Sequence, residues 1–273
     1  MTIVAISREM GSEGYAIGAA VAKALGFEYI DRQIILQAAQ AHGVPEATLA
    51  EAADRRPSLW ERFDVERRHY LTFLEAAYYS FAIKGNIVTA SRGGPFFVQE
   101  VSHALKVRIT APLDIRIQRI MRRDGLDEKS ATAKVRAYDR ETAGRVEYLF
   151  GVDWTDPTYY DLVLTAAEDD LTFATDVLVA AARHARCQPT PASRQRIRDL
   201  HLAAEVRAAL ATDPTTENLT LEVTAATGHV TLKGVVFNAE SMETATAVAG
   251  RVPGVQGVTG EPVPVPMYHG PMM

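Results

Sequence analysis

Thr2-Ile-Val-Ala-Ile-Ser7, then Arg8-Glu-Met-Gly11-Ser12-Glu13-Gly14-Tyr15, then an apolar-periodic run to Leu25, is the stretch that decides the fold. Its opening is an apolar, β-branched run, which reads as a buried strand. A glycine-bearing turn follows at once, after which Ile17, Ala20, Val21, Ala24 and Leu25 recur at helical spacing. Strand, glycine turn and helix in that order aim unpaired backbone N–H groups and a helix dipole at one point, as phosphate binding requires. The full G-x-x-x-x-G-K-[ST] pattern also needs a lysine just before the helix, and none stands there. The alternative for this stretch alone is a tight βα turn with no ligand.

Composition narrows the class. A chain of 273 residues, 47% hydrophobic and 23% charged, has material for two globular domains. A net charge of −5 gives no general pull toward nucleic acid or an anionic membrane. The single cysteine, Cys187, excludes an internal disulfide and a multi-cysteine metal site. The N-terminal run has no charged n-region and is cut short by Arg8 and Glu9, so no signal peptide is read there. No stretch approaches the roughly 20 apolar residues of a membrane span. A cytoplasmic protein is expected.

Along the chain, strands are predicted at Phe27–Ile30, Asn86–Ser91, Lys106–Ala111 and Tyr160–Thr165. Helices are predicted at about 33–41, through much of 46–84, through Phe97, Val98, Val101 and Leu105, at 113–123, at 127 to about 142, and at 171–185. This alternation predicts a parallel sheet covered by helices on both faces. Composition then shifts at Cys187-Gln-Pro-Thr-Pro-Ala-Ser-Arg194, where two prolines among small polar residues mark a linker. Beyond it come a helix at 197–210, a hairpin from 219–224 and 229–235, a helix at 239–251 and a third strand at 255–258, a small α+β unit. The expected domains are therefore 1–186, a linker at 187–195, a second unit at 196–262 and a loose tail at 263–273.

Polar residues gather where an open α/β sheet binds ligands, at the carboxyl ends of strands. These are Ser7-Arg8, Asp31-Arg32, Ser91-Arg92-Gly93 and Thr110. Asp31 is suited to accept hydrogen bonds from a base or sugar, and Arg92 to hold a phosphate bidentately. Arg116, Arg119, Arg122 and Arg123 fall at i, i+3, i+6 and i+7 on one broad helix face. Such a face can neutralise the charge of a transferring phosphoryl group; the alternative is a solvated face paired with Asp114 and Glu128. Metal-ligand spacing and a G-x-S-x-G elbow are both absent, so a protein metal site and serine catalysis are not expected.

Taken in order, Ile6-Ser-Arg-Glu-Met-Gly-Ser-Glu-Gly14, Leu25-Gly-Phe-Glu-Tyr-Ile-Asp31, Ser91-Arg-Gly93, Arg116-Ile-Gln-Arg-Ile120 and Phe150-Gly-Val-Asp-Trp154 with Tyr160-Asp-Leu-Val163 resemble the cytidylate-kinase-like family of nucleoside monophosphate kinases. The resemblance implies a P-loop fold, ATP with Mg²⁺ as donor, and CMP or a related pyrimidine monophosphate as acceptor. By position it places Arg8, Gly11, Ser12, Glu13, Gly14 and Tyr15 around the donor phosphates and Asp31 and Arg92 at the acceptor. Arg116, Arg119, Arg122 and Arg140 would then belong to a catalytic lid. The chain departs from the family at Glu13 for a glycine, at Tyr15 for an arginine, and at Leu164-Thr165 where an asparagine is common. Residues 195–262, through Val230-Thr-Leu-Lys-Gly-Val235 and Val252-Pro-Gly-Val-Gln-Gly-Val258, resemble a BON domain. That likeness implies contact with a phospholipid or small ligand, with a structural or self-associating (homo-oligomeric) role as the alternative. Three functions follow: a nucleotide kinase, a catalytically weak pseudo-kinase that senses a nucleotide and passes that state to the BON-like unit, and an adaptor.

Overall fold

The computed structural model describes residues 2–31, 36, 39–41, 43, 65–91, 93–167, 171–236 and 238–263, with backbone only at 65–70. Strand β1, Ile3–Arg8, is the centre of a five-stranded sheet. It pairs in parallel with β3, Ile87–Ala90, on one side and β4, Ala104–Thr110, on the other. Strand β2, Glu28–Ile30, lies outside β3, and β5, Leu162–Thr165, outside β4, so the order is β2-β3-β1-β4-β5. Successive side chains of a strand face opposite ways, and β1 obeys this: Ile3 and Ala5 enter one core layer, Val4 and Ile6 the other. Helices α1, Gly14–Leu25, and α6, Thr172–Arg183, cover the Val4 and Ile6 face. Helix α2, Val65–Ala82, covers the opposite face with Phe73, Ala76 and Ala77. All four residues of β3 and the first five of β1 are buried, which explains their unbroken apolar reading.

Two expectations need correction. The helix read through Phe97, Val98, Val101 and Leu105 is only the short α3, Gly94–Phe97, and Leu105 already lies in β4. The cause is burial of β4 on both faces, which removes the alternation that separates a strand from a helix. Helix α4 spans Leu113–Asp124 as expected, but α5 runs from Glu128 to Phe150, past the expected end near Thr142. Asp127 caps it by accepting from the Ser130 N–H, and Gly151, at φ 66, ends it. The extra turns bury Val146 and bring Phe150 against Phe96. The helices expected at 33–41 and through 46–64 fall mostly outside the described residues.

The C-terminal unit begins on a long helix, α7, Pro191–Thr212, capped by reciprocal bonds between Thr190 and Ser193. It carries an antiparallel pair, β6, Leu221–Ala226, and β7, His229–Val235. Helix α8, Ala239–Gly250, follows, and β8, Gly257–Val263, then pairs in parallel with β7. Leu202, Val206 and Leu210 of α7 pack with Val223, Val230, Leu232 and Ala245 in this unit's core. Ile197, Ala204 and Ala208, elsewhere on the same helix, pack into the core under α2. Within the stretch read as a linker, Cys187 and Ser193 are buried, and the Cys187 carbonyl accepts a 3.0 Å bond from the Thr2 hydroxyl. Among the described residues no helix is long and apolar enough to cross a membrane.

Candidate nucleotide site

The turn between β1 and α1 is held by backbone conformations that few residues adopt. Gly11 has φ +77°, and a Cβ there would stand 2.8 Å from the Arg116 carbonyl oxygen. No side chain fits that gap. A Cβ on Gly14 would meet the Arg8 Cβ at 2.6 Å. Glu13 also lies in the left-handed region, φ 60° and ψ 15°, and it is not a glycine. It occupies the N-cap of α1 yet makes no side-chain capping bond. The first intrahelical bond runs from the Ile17 N–H to the Glu13 carbonyl, so the N–H groups of Gly14, Tyr15 and Ala16 have no partner within the helix. Ser12 is buried, and its hydroxyl donates to the Glu9 carbonyl at 2.9 Å, bracing the turn from within.

Beneath the turn lies a charge network that the sequence reading did not assemble. The Glu9 carboxylate accepts from Arg108 Nη2 at 2.8 Å and from the Thr110 hydroxyl at 2.5 Å. Arg116 Nε lies 3.4 Å from the same carboxylate. Arg116 Nη1 donates to both oxygens of Asp139, at 3.1 and 2.9 Å, and to the Met10 carbonyl at 3.4 Å. Arg119 Nη1 donates to the carbonyls of Gly11, at 3.2 Å, and Ala166, at 2.9 Å. Both arginines are only 6% exposed. They engage loop carbonyls and carboxylates from inside, which fixes the backbone shape of the turn. Burial raises the Asp139 carboxyl above its usual value, with attraction from Arg116 working against that shift. Glu9 stands inside the Ser-Arg-Glu run, and Arg108 is a charge within a buried strand; the latter was the available signal.

The remaining residues named from sequence divide by place. The Arg8 guanidinium lies 3.4 Å from the centroid of the Tyr15 ring and 5.6 Å from that of Tyr138, a stacked cation between two aromatics. The Tyr29 hydroxyl donates to the Tyr15 carbonyl at 3.3 Å. Burial first, then the neighbouring Tyr15, pushes the Tyr29 phenol up to about 12. Arg122 and Arg140 are exposed on α4 and α5. Arg123, also exposed, is bonded to Asp124 at 2.7 Å and lies within the electrostatic reach of Glu13 and Tyr15. Asp31 is half-buried just past β2, and Arg92 lies outside the described residues. Among the described residues no group of three or more His, Cys, Asp or Glu side chains is arranged to hold a metal.

Known proteins sort the two units. The chain is 26% identical over 152 residues to the cytidylate kinase of Methanopyrus kandleri, covering 52% of this chain and 73% of that protein. It is 28% identical over 163 residues to the cytidylate kinase of Thermococcus sibiricus, covering 59% and 78%. A solved structure of an uncharacterized protein from Eubacterium ventriosum superposes with a TM-score of 0.51 at 18% identity, covering 67% of this chain and 98% of that one, a likeness of fold. The BON domain profile matches residues 198–261. The cytidylate kinase-like family profile matches residues 3–168, more than half of the chain, and on that match, with the sheet order and the loop described above, the protein belongs to the cytidylate kinase-like family.

Proposed function

We propose that the N-terminal unit moves the γ-phosphoryl group of ATP to CMP or a related pyrimidine monophosphate. The observation that supports this most is the turn at residues 11–14. Its left-handed Gly11 and Glu13 and the unpaired N–H groups of Gly14, Tyr15 and Ala16 make an anion cradle at a helix N-terminus. The cradle fits a phosphate chain, so backbone amides would hold the donor. Mg²⁺ would arrive on those phosphates and neutralise their charge, since it keeps several waters and needs few protein ligands. Arg122 and Arg140, exposed on the helices beside the turn, are the side chains suited to the transferring group. Arg116 and Arg119 act in this reading as positioning residues, because their guanidiniums hold the loop itself. Asp31 and Arg92 would face the acceptor. A cytoplasmic setting belongs to the same reading, as does phospholipid or small-ligand contact through the BON-like unit.

A second reading has its own support. Glu13 is an acidic residue at the N-cap of the helix that forms the cradle, and the one arginine of the turn, Arg8, is stacked on Tyr15. Both features weaken phosphate binding and suit a nucleotide sensor that reports through the C-terminal unit. One experiment decides: purified protein with ATP, Mg²⁺ and each nucleoside monophosphate, followed for diphosphate formation beside calorimetric binding. Turnover with a pyrimidine monophosphate supports the kinase. Binding without turnover leaves the sensor, and no binding removes both.

A further inference from the structure

A cavity of about 370 Å³ opens between the two units, and none of residues 8–15 line it. That volume is within the range of small-molecule sites. Its wall on the first unit is aromatic: Phe150 stands 5.2 Å, centroid to centroid, from both Phe96 and Phe97, and Tyr79 lies beside them. Among the described residues the charged groups around it are Glu75, Glu100 and Asp199 with Arg196 and Arg207. Arg207 is committed to Glu75 at 2.9 Å and to the Val223 carbonyl at 2.8 Å, and Arg196 is committed to Glu100. Asp199, 8% exposed, accepts 2.8 Å bonds from Gln195 Nε2 and the Thr227 N–H, both neutral donors. A buried carboxylate whose donors among the described residues are both neutral is an unbalanced charge.

We propose that this cavity binds a small organic cation, an ammonium or guanidinium head on a short apolar body. Asp199 is its counter-ion, and Phe97 and Phe150 are its walls. Cations are attracted to aromatic faces and carboxylates together, whereas an anion would meet the Asp199 carboxylate. Burial also raises the Glu75 carboxyl above its usual value in spite of Arg207, so a cation seated nearby favours its charged form. The site bears on the loop through Phe150, the last residue of the α5 helix that carries Asp139 and Arg140. The Phe150 ring also presses on the turn after β3, where a Cβ on Gly93 would meet it at 3.3 Å.

The test uses the full chain and three probes of one shape in isothermal calorimetry: phenethylammonium, 2-phenylethanol and 3-phenylpropanoate. The cation is expected to bind at least about tenfold more tightly than either of the others. Asp199→Asn, which keeps an acceptor for the Thr227 N–H, is expected to lose that preference, and Ala203→Leu, which fills the cavity, to abolish binding. Equal binding of the alcohol or the carboxylate, or absence of heat with the cation, overturns the proposal. Should Asp199→Asn not fold, unchanged cation binding by Ala203→Leu overturns it as well.

Discussion

Glu13→Gly separates two costs that meet at one residue. The first is conformational: an L-residue in the left-handed region is disfavoured by about 1–2 kcal/mol, and Glu13 sits there at φ 60°. Glycine removes that strain but gives the unfolded chain more freedom, worth about 0.5–1 kcal/mol. The expected net gain is about 0–1.5 kcal/mol, or a rise in Tm of up to about 6 °C for a domain of this size. The second cost is electrostatic. Two unit charges about 4 Å apart interact by about 1 kcal/mol in water and about 4 kcal/mol at an effective dielectric of about 20. Glu13 is half-buried at the mouth of the turn, so its repulsion of a bound phosphate falls toward the lower end, and ATP affinity should rise about five- to hundredfold. Glu13→Gln is the control, because it removes the charge and keeps the backbone. It should reproduce the gain in affinity without the gain in Tm. Scanning calorimetry and ATP titration read the two separately. If Glu13→Gly lowers Tm, or if neither variant binds ATP more tightly, the account of this loop is wrong.

Gly11→Ala should unfold the loop locally, since its Cβ would stand 2.8 Å from a backbone oxygen; ATP binding lost with a Tm drop of several degrees is the expected result, and normal binding refutes it. Glu9→Gln removes the charge that faces buried Arg108 and Arg116, and breaking such a network costs about 3–5 kcal/mol; a urea-unfolding loss below about 1 kcal/mol would contradict the role given to Glu9. The Glu75 carboxyl is raised above 4.5 by burial, so the fold favours its protonated form. Its contribution is therefore lost as pH rises from the unfolded value through the folded one; urea melts across that window should show a slope that Glu75→Gln flattens. Cutting the chain after residue 187 removes Ile197, Ala204 and Ala208 from the core under α2. Burial of Ile197 alone is worth about 1.5–3 kcal/mol, so the shortened first unit should melt lower than the same unit in the full chain, and an unchanged melting transition would refute that packing.

The sequence by itself determined the parallel sheet, the loop after β1 and the small C-terminal unit, because each rests on local signals. Apolar runs, helical spacing and glycine turns are written over a few residues and need no distant partner. It also placed Gly11, Glu13 and Tyr15 at the turn, where the strand meets the helix. The end of α3 and the start of β4 escaped it, since a strand buried on both faces carries no alternation to mark its edge. What only the tertiary structure decided is where the charges go. Arg116 and Arg119 share a helix face with Arg122 in sequence, yet parallel packing of β4 against β1 brings Glu9, Arg108 and Thr110 together and turns Arg116 inward. Likewise α7 reads as one amphipathic helix, but it serves two cores, because α2 packs on one part of its surface and β6 and β7 on another. Periodicity tells which residues avoid water; only the assembled chain tells which partner they meet.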